Sequence, residues 1–235
     1  MKKVLFILAI VGMLVSCTSC DFRIGRYSKM LITVERPLKG FERIQQMGTM
    51  SVEYVQADSF SVKVKAPKEV VDQVETRVEG NVLIVNMKGG TNFLNFGVAD
   101  GKDVTVYVTS PDFLGIELVG TGDFSCKNLL DTDNLDVVLK GTGDVEFDHV
   151  ICDNINVSLV GTGEIDVKSV RTLQALVELT GAGDVEVNFD EAGFVDSRLL
   201  GTGDIKLTGT VRQLKKQVRG VGDMDTDELI VKEQM

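Results

Sequence analysis

The chain has 235 residues, 43% of them hydrophobic, which suits one elongated domain or two small ones. Its 35 acidic and 25 basic side chains leave a formal charge of -10, which argues against a protein that grips a phosphate backbone, so no nucleic-acid partner is expected. There is no tryptophan and only one histidine, His149, and no Cys/His cluster has metal-ligand spacing; the sequence therefore names no metal, no cofactor and no catalytic set.

The N-terminus reads as an address. Lys2 and Lys3 precede an apolar run from Val4 to Val15, too short to span a bilayer. The run ends in Leu14-Val15-Ser16-Cys17, which resembles the lipobox of bacterial lipoproteins. That resemblance implies a signal peptide over residues 1–16, and Cys17 as the lipid-attachment site and first mature residue, holding the protein to a membrane. Residues 17–30 then read as a polar tether. Cys20, Cys126 and Cys152 remain, an odd number with no obvious pairing.

Residues 31–110 read as an irregular β region that leads in and caps. Strands are expected at Leu31–Glu35, Ser51–Val55, Phe60–Lys65, Arg77–Val78 and Asn81–Met87, with alternation again through Val104, Val106 and Val108. A short helical turn is expected between Pro67 and Gln73, and a loop around Gly89-Gly90 and Asp100-Gly101. This region shows no fixed repeat.

From residue 111 onward the chain repeats. The tetrapeptide Gly-Thr-Gly-Asp at Gly120, Gly122 and Asp123 returns at Gly141, Gly143 and Asp144, then at Gly161, Gly163 and Glu164. It returns again at Gly181, Gly183 and Asp184, at Gly201, Gly203 and Asp204, and at Gly220, Gly222 and Asp223. The steps are 21, 20, 20, 20 and 19 residues, the signature of a stacked array. Apolar residues stand at even offsets on both sides of the motif. Leu118, Leu139, Leu159, Leu179, Leu199 and Val218 come two residues before its first glycine, and Phe124, Val145, Ile165, Val185, Ile205 and Met224 four after. Leu114, Leu135, Ile155, Ala175, Val195 and Leu214 come six before. Period two across the motif predicts two strands per repeat with one buried face. About twenty residues are too few for a strand–helix–strand unit but enough for one coil of a β-solenoid, so the expected fold is an all-β parallel solenoid, with residues 31–235 forming one continuous domain.

The twelve motif glycines are expected at corners, where φ > 0 is needed and a Cβ would point into a crowded interior. No lysine or helix pattern follows them, as a phosphate loop requires, and calcium-binding β-rolls repeat at nine residues with different spacing. The fourth motif position makes an outward acidic column: Asp123, Asp144, Glu164, Asp184, Asp204 and Asp223. Unit charges one strand apart repel by roughly 0.9 kcal/mol even in water. Two readings of that column stand. Each carboxylate caps backbone N–H groups at its own corner, or the column recruits cations or a basic partner. Lys216 and Thr226 interrupt the inward columns near the end, as in a closing coil with a wet face.

The repeats, the lipoprotein leader and the stretch Gly40-Phe41-Glu42-Arg43-Ile44 together resemble the auto-transporter adhesin, or head GIN domain, family of Gram-negative envelope proteins. The resemblance covers roughly residues 31–230. It implies a right-handed β-helix, attachment to the outer membrane, a protein or glycan partner at the envelope or surface, and no catalytic residues. Three functions follow for comparison: an adhesin-like binding module, a structural envelope lipoprotein without a ligand, and a polysaccharide-active β-helix enzyme. The enzyme would need a cleft with acid/base residues, and the smooth outward columns after residue 114 supply no inserted loops to build one.

Overall fold

A computed structural model describes residues 30–88 and 103–232. The expected leader, Cys17, the tether and the glycine-rich loop near residue 90 lie outside these residues. Among the described residues there is no α-helix, and a single 3-10 turn, Val71–Gln73, falls where the short helical turn was expected. The molecule is a β-solenoid, as the repeat predicts.

The strands in chain order are β1 (Leu31–Arg36), β2 (Arg43–Gly48), β3 (Ser51–Gln56), β4 (Ser61–Pro67), β5 (Val74–Glu79) and β6 (Val82–Met87). After these come β7 (Thr105–Ser110), β8 (Gly115–Gly120), β9 (Asp123–Asp131) and β10 (Asn134–Gly141). Long strands β11 (Asp144–Gly161), β12 (Glu164–Gly181), β13 (Asp184–Gly201) and β14 (Asp204–Gly220) each make a nearly complete coil, followed by the short β15 (Met224–Asp225) and β16 (Leu229–Val231).

Successive coils pair in parallel and in register, so identical motif positions stack: Gly141 on Gly120, Gly161 on Gly141, Asp184 on Glu164. Within one coil the buried residues are Val145, Phe147, Val150, Cys152, Ile155, Val157 and Leu159. The spacing is two except at two steps of three, from Phe147 to Val150 and from Cys152 to Ile155. Each extra residue turns a corner, and side-chain phase flips across it. A coil therefore has three sides rather than two. The first runs from the glycine corner through Phe147, the second through Val150 and Cys152, and the third from Asn154 back to the next glycine. Two one-residue shifts cancel, which is why the even offsets held on both sides of the motif while the second side stayed hidden between them.

The core is a continuous set of ladders. Leu139, Leu159, Leu179 and Leu199 are at most 1% exposed. At the first level Phe113, not Leu114, fills the interior, and it lies in a run of rings from Tyr54 to Phe124 and Phe147, with centroids 4.1, 5.9 and 5.4 Å apart. Cys126 and Cys152 are free, buried and apolar in role; burial pushes their thiols up to about 12 and about 11, far from a reactive thiolate.

The array begins before the motif copies do. β2 and β3 pair in parallel with β8 and β9, placing Gly48 opposite Gly120 and Ser51 opposite Asp123. Gly48-Thr49-Met50-Ser51 is thus another corner, with Met50 and Ser51 where the later motifs carry glycine and a carboxylate. β6 and β7 lie beneath β2 and β3, again in parallel. Antiparallel strands close this end: β5 on β6, and β4 then β1 on β7. At the far end β15 and β16 cover only the first and second sides of the last coil.

Candidate functional surface

Two features run along the rod: the glycine corner with its acidic column, and a groove between the second and third sides.

At the corner the first glycine of every motif has φ between +134° and +145°. The second glycine lies outside the left-handed region, and its constraint is contact. A Cβ on Gly163 would sit on the carbonyl oxygen of Gly143, and one on Gly161 would sit on that of Gly141. The nearest obstacle is thus the backbone of the coil below, and the second glycine also meets the crowded interior the sequence suggested, Leu139 Cδ2 for Gly163 and Leu159 Cδ2 for Gly183. That closeness has a purpose. The carbonyl of Gly141 accepts from Thr162 N–H at 2.9 Å, and that of Gly143 from Glu164 N–H at 3.1 Å, so corners are hydrogen-bonded coil to coil.

This arrangement leaves the carboxylates little to cap. Asp223 accepts from its neighbour's Met224 N–H at 2.9 Å, and Asp204 from Asp223 N–H at 3.0 Å. Asp123 receives only Ser51 Oγ at 3.4 Å. The carboxylates of Asp144, Glu164 and Asp184 accept no hydrogen bond among the described residues, because the corner N–H groups are already taken by glycine carbonyls. The capping reading therefore fails at the middle levels. Burial, then Asp123, pushes the Asp144 carboxyl above its ordinary range; burial, then Asp144, does the same to Glu164. The next outward column is partly neutralised. Lys168 reaches down one coil to Glu146 and, at 2.8 Å, to Asp148, which it holds below the usual carboxylate range. Among the described residues no group of three or more His, Cys, Asp or Glu side chains is placed to hold a metal ion.

The groove was not visible in the sequence. Its floor is Cys152, Thr172, Ala192 and Val211, stacked at four successive levels, and its cavity volume is about 490 Å³. With Asp131 to Asp133 at the lower end it crosses five coils, or roughly 20 Å at the spacing of paired strands. Its ends differ in charge. Asp131, Asp133 and Asp153 line the two lower levels, Arg171 and Glu191 the next two, and Arg212 and Lys232 the top. Arg171 is paired with Asp190 at 2.7 Å and Lys232 with Glu191 at 3.5 Å. Leu173, 63% exposed, stands on the rim beside Gly193, where a Cβ would run into Leu173's own backbone. The only signal for this site was the pair of phase shifts that define the second side.

A rod of stacked three-sided coils with charged outward ladders places the chain among the parallel β-solenoids. A sequence profile of the family described as "Putative auto-transporter adhesin, head GIN domain" matches residues 40–185 and 161–234, and the chain belongs to that family. Among curated proteins none matches the chain. Among solved structures, a putative adhesin from Bacteroides fragilis is 25% identical, with a TM-score of 0.70 over 85% of this chain and 98% of that one. A putative lipid binding protein from Parabacteroides distasonis is 18% identical, with a TM-score of 0.66 over 85% and 97%. A putative adhesin from Parabacteroides merdae is 16% identical, with a TM-score of 0.57 over 85% and 97%. These last two share the fold.

Proposed function

We propose that the chain is a non-catalytic envelope lipoprotein of a Gram-negative bacterium, anchored through Cys17 to the outer membrane. Its solenoid is an adhesin-like binding module for a protein or glycan of the envelope or surface. The observation that carries this reading is the groove, a five-level concavity with a rigid floor, an exposed apolar rim and opposite charge at its two ends. Rigid stacked scaffolds that vary their outward residues level by level are suited to extended ligands. Arg171 and Lys232 of the groove are each held in an ion pair, and its one thiol is held protonated, which favours binding over chemistry.

The test is a photo-crosslinking residue placed at Leu173 in the full chain, compared with one at Thr142 on the outward face of a corner. An adduct formed in cells from the first position and absent from the second supports a groove ligand. Equal or absent labelling favours the structural lipoprotein without a ligand. The anchor is tested separately: Cys17→Ala should abolish palmitate incorporation and release the protein from membranes, and unchanged labelling removes that part of the reading.

A further inference from the structure

We propose that the third side of the last coil, Arg212–Gly220, is a receiving edge for an extended acidic segment of a partner protein, which adds to the solenoid as one more strand. Three observations carry this. First, the backbone is open. This stretch pairs in register with β13, from Phe194 opposite Gln213 to Gly201 opposite Gly220, and with none of the described residues on its other edge. On such an edge about every second residue directs both its N–H and its C=O outward. At the opposite end the outermost strands, β1 and β5, are short antiparallel additions of six residues each, whereas here the outer edge belongs to a full parallel coil.

Second, the core stops without a cover. Val218 is 47% exposed, whereas Leu199, directly beneath it in the same column, is 1% exposed. Val221, 85% exposed, follows at the outward face of the corner, and Ile230, 62% exposed, stands on β16 over the second side.

Third, the edge is basic in an acidic chain. Arg212, Lys215, Lys216 and Arg219 fall within it, against a net charge of -10. Lysines also keep sheet edges from pairing with copies of themselves. Here two copies meeting edge to edge would oppose cation to cation, while an acidic strand would meet attraction. Guarding alone does not call for a half-exposed valine of the inward column beside the charges. An apolar centre ringed by arginine and lysine is the anatomy of an interface.

The register specifies the occupant. A strand stacked here places apolar side chains over Leu214 and Val218, and carboxylates over Lys215, Lys216 and Arg219. Lys216 Nζ now rests on Thr226 Oγ1 at 2.9 Å, and Lys215 on Asp196 at 2.9 Å, both exposed enough to re-pair.

The probe is a fluorescein-labelled synthetic peptide, Thr-Val-Glu-Glu-Thr-Val-Glu-Thr, titrated against the full chain by anisotropy. Saturable binding is expected, with slowed amide exchange at 212–220 and none at 204–208. Affinity should fall at least ~tenfold in Lys216→Glu with Arg219→Glu, and similarly in high salt. The double variant should keep the parent's melting midpoint, since both side chains are exposed and neither is paired with a carboxylate among the described residues. Equal binding of the peptide with lysine in place of glutamate overturns the proposal, as does binding without exchange protection at the edge or no binding at all. A peptide-free dimer in sedimentation that protects the same amides would make a second copy the occupant and likewise overturn it. None of these outcomes depends on Leu173 labelling, so this edge and the groove stand or fall separately.

Discussion

Substituting the corner glycines separates the two roles the structure gives them. Gly161→Ala places a side chain at φ +144° and drives its Cβ into the carbonyl of Gly141. The backbone conformation alone costs about 1–3 kcal/mol. The clash forces the coils apart and breaks the bond from Thr162 N–H to Gly141 O, now 2.9 Å, leaving a crowded carbonyl unsatisfied for about 1–3 kcal/mol more. Together these come to about 2–6 kcal/mol. With a urea dependence of about 2–3 kcal/mol per molar, the unfolding midpoint should drop by about 1–3 M. Gly163→Ala meets the carbonyl of Gly143 but has no left-handed φ, so it should lose only the second contribution. Thr162→Ala, exposed between them, should cost less than about 0.5 kcal/mol. The expected order of damage is Gly161, then Gly163, then Thr162, read from urea melts followed by circular dichroism. A Gly161→Ala midpoint indistinguishable from that of Thr162→Ala would refute the coil-contact argument.

Other outcomes follow from the ladders. Leu159→Ala, fully buried in mid-stack, should destabilise by about 2–5 kcal/mol in the same melts, and a loss no larger than that of Thr162→Ala would contradict the inward assignment. The triple variant Asp144→Asn, Glu164→Gln and Asp184→Asn removes repulsion without removing any described hydrogen bond. Its melting temperature should rise by a few degrees at low ionic strength, about 2–4 °C per kcal/mol relieved, and the gain should shrink in salt; a fall would show that the column is held by something else. Stability should also respond to pH in two phases. Asp144, Glu164 and Asp166 have folded pKa values raised by burial, so folding favours their protonation, and stability should increase as pH falls from neutrality through those raised values. Asp148, Asp196 and Glu117 are depressed by Lys168, Arg198 and Lys140, and the stability they contribute should be lost as pH falls further, through their lowered values. Melting midpoints across that range should show a maximum on the acid side of neutrality, and a steady decline from neutral pH downward would contradict this.

The period and the inward columns were legible because stacking in register forces every coil to repeat the same contacts. The second side was not, since Val150, Cys152 and their stacked neighbours sit one residue out of phase with the motif. Corner residues between Phe147 and Val150 absorb the shift without a glycine or proline to mark it. Gly48-Thr49 escaped for a different reason. Gln46 donates to the carbonyls of Met50 and Asp123 at 2.6 and 3.1 Å, so this level is completed by a buried side chain instead of a second glycine. The capping reading of the carboxylates fails at the middle levels because local turn chemistry competes with the coil below, and the coil below holds the N–H groups. Groove and open edge are both products of how coils end and bend, which a column of residue types does not display.

The coil of residues 43–56 lies between β6 and β7 below and β8 and β9 above, so stacking order departs from chain order at the start of the rod. A chain that emerges N-terminus first must therefore hold this segment unpaired until later residues arrive; Gln45 meets Glu117 only across 72 residues. Closing such separations is the slow part of building a β structure. Beyond Asp144 each coil pairs with one about twenty residues earlier, and can be laid down as it appears. Assembly is thus a long-range locking event followed by local growth. Chains shortened from the C-terminal end by whole coils should still form stable, shorter rods, whereas excising residues 43–56 removes the level on which every later one is seeded.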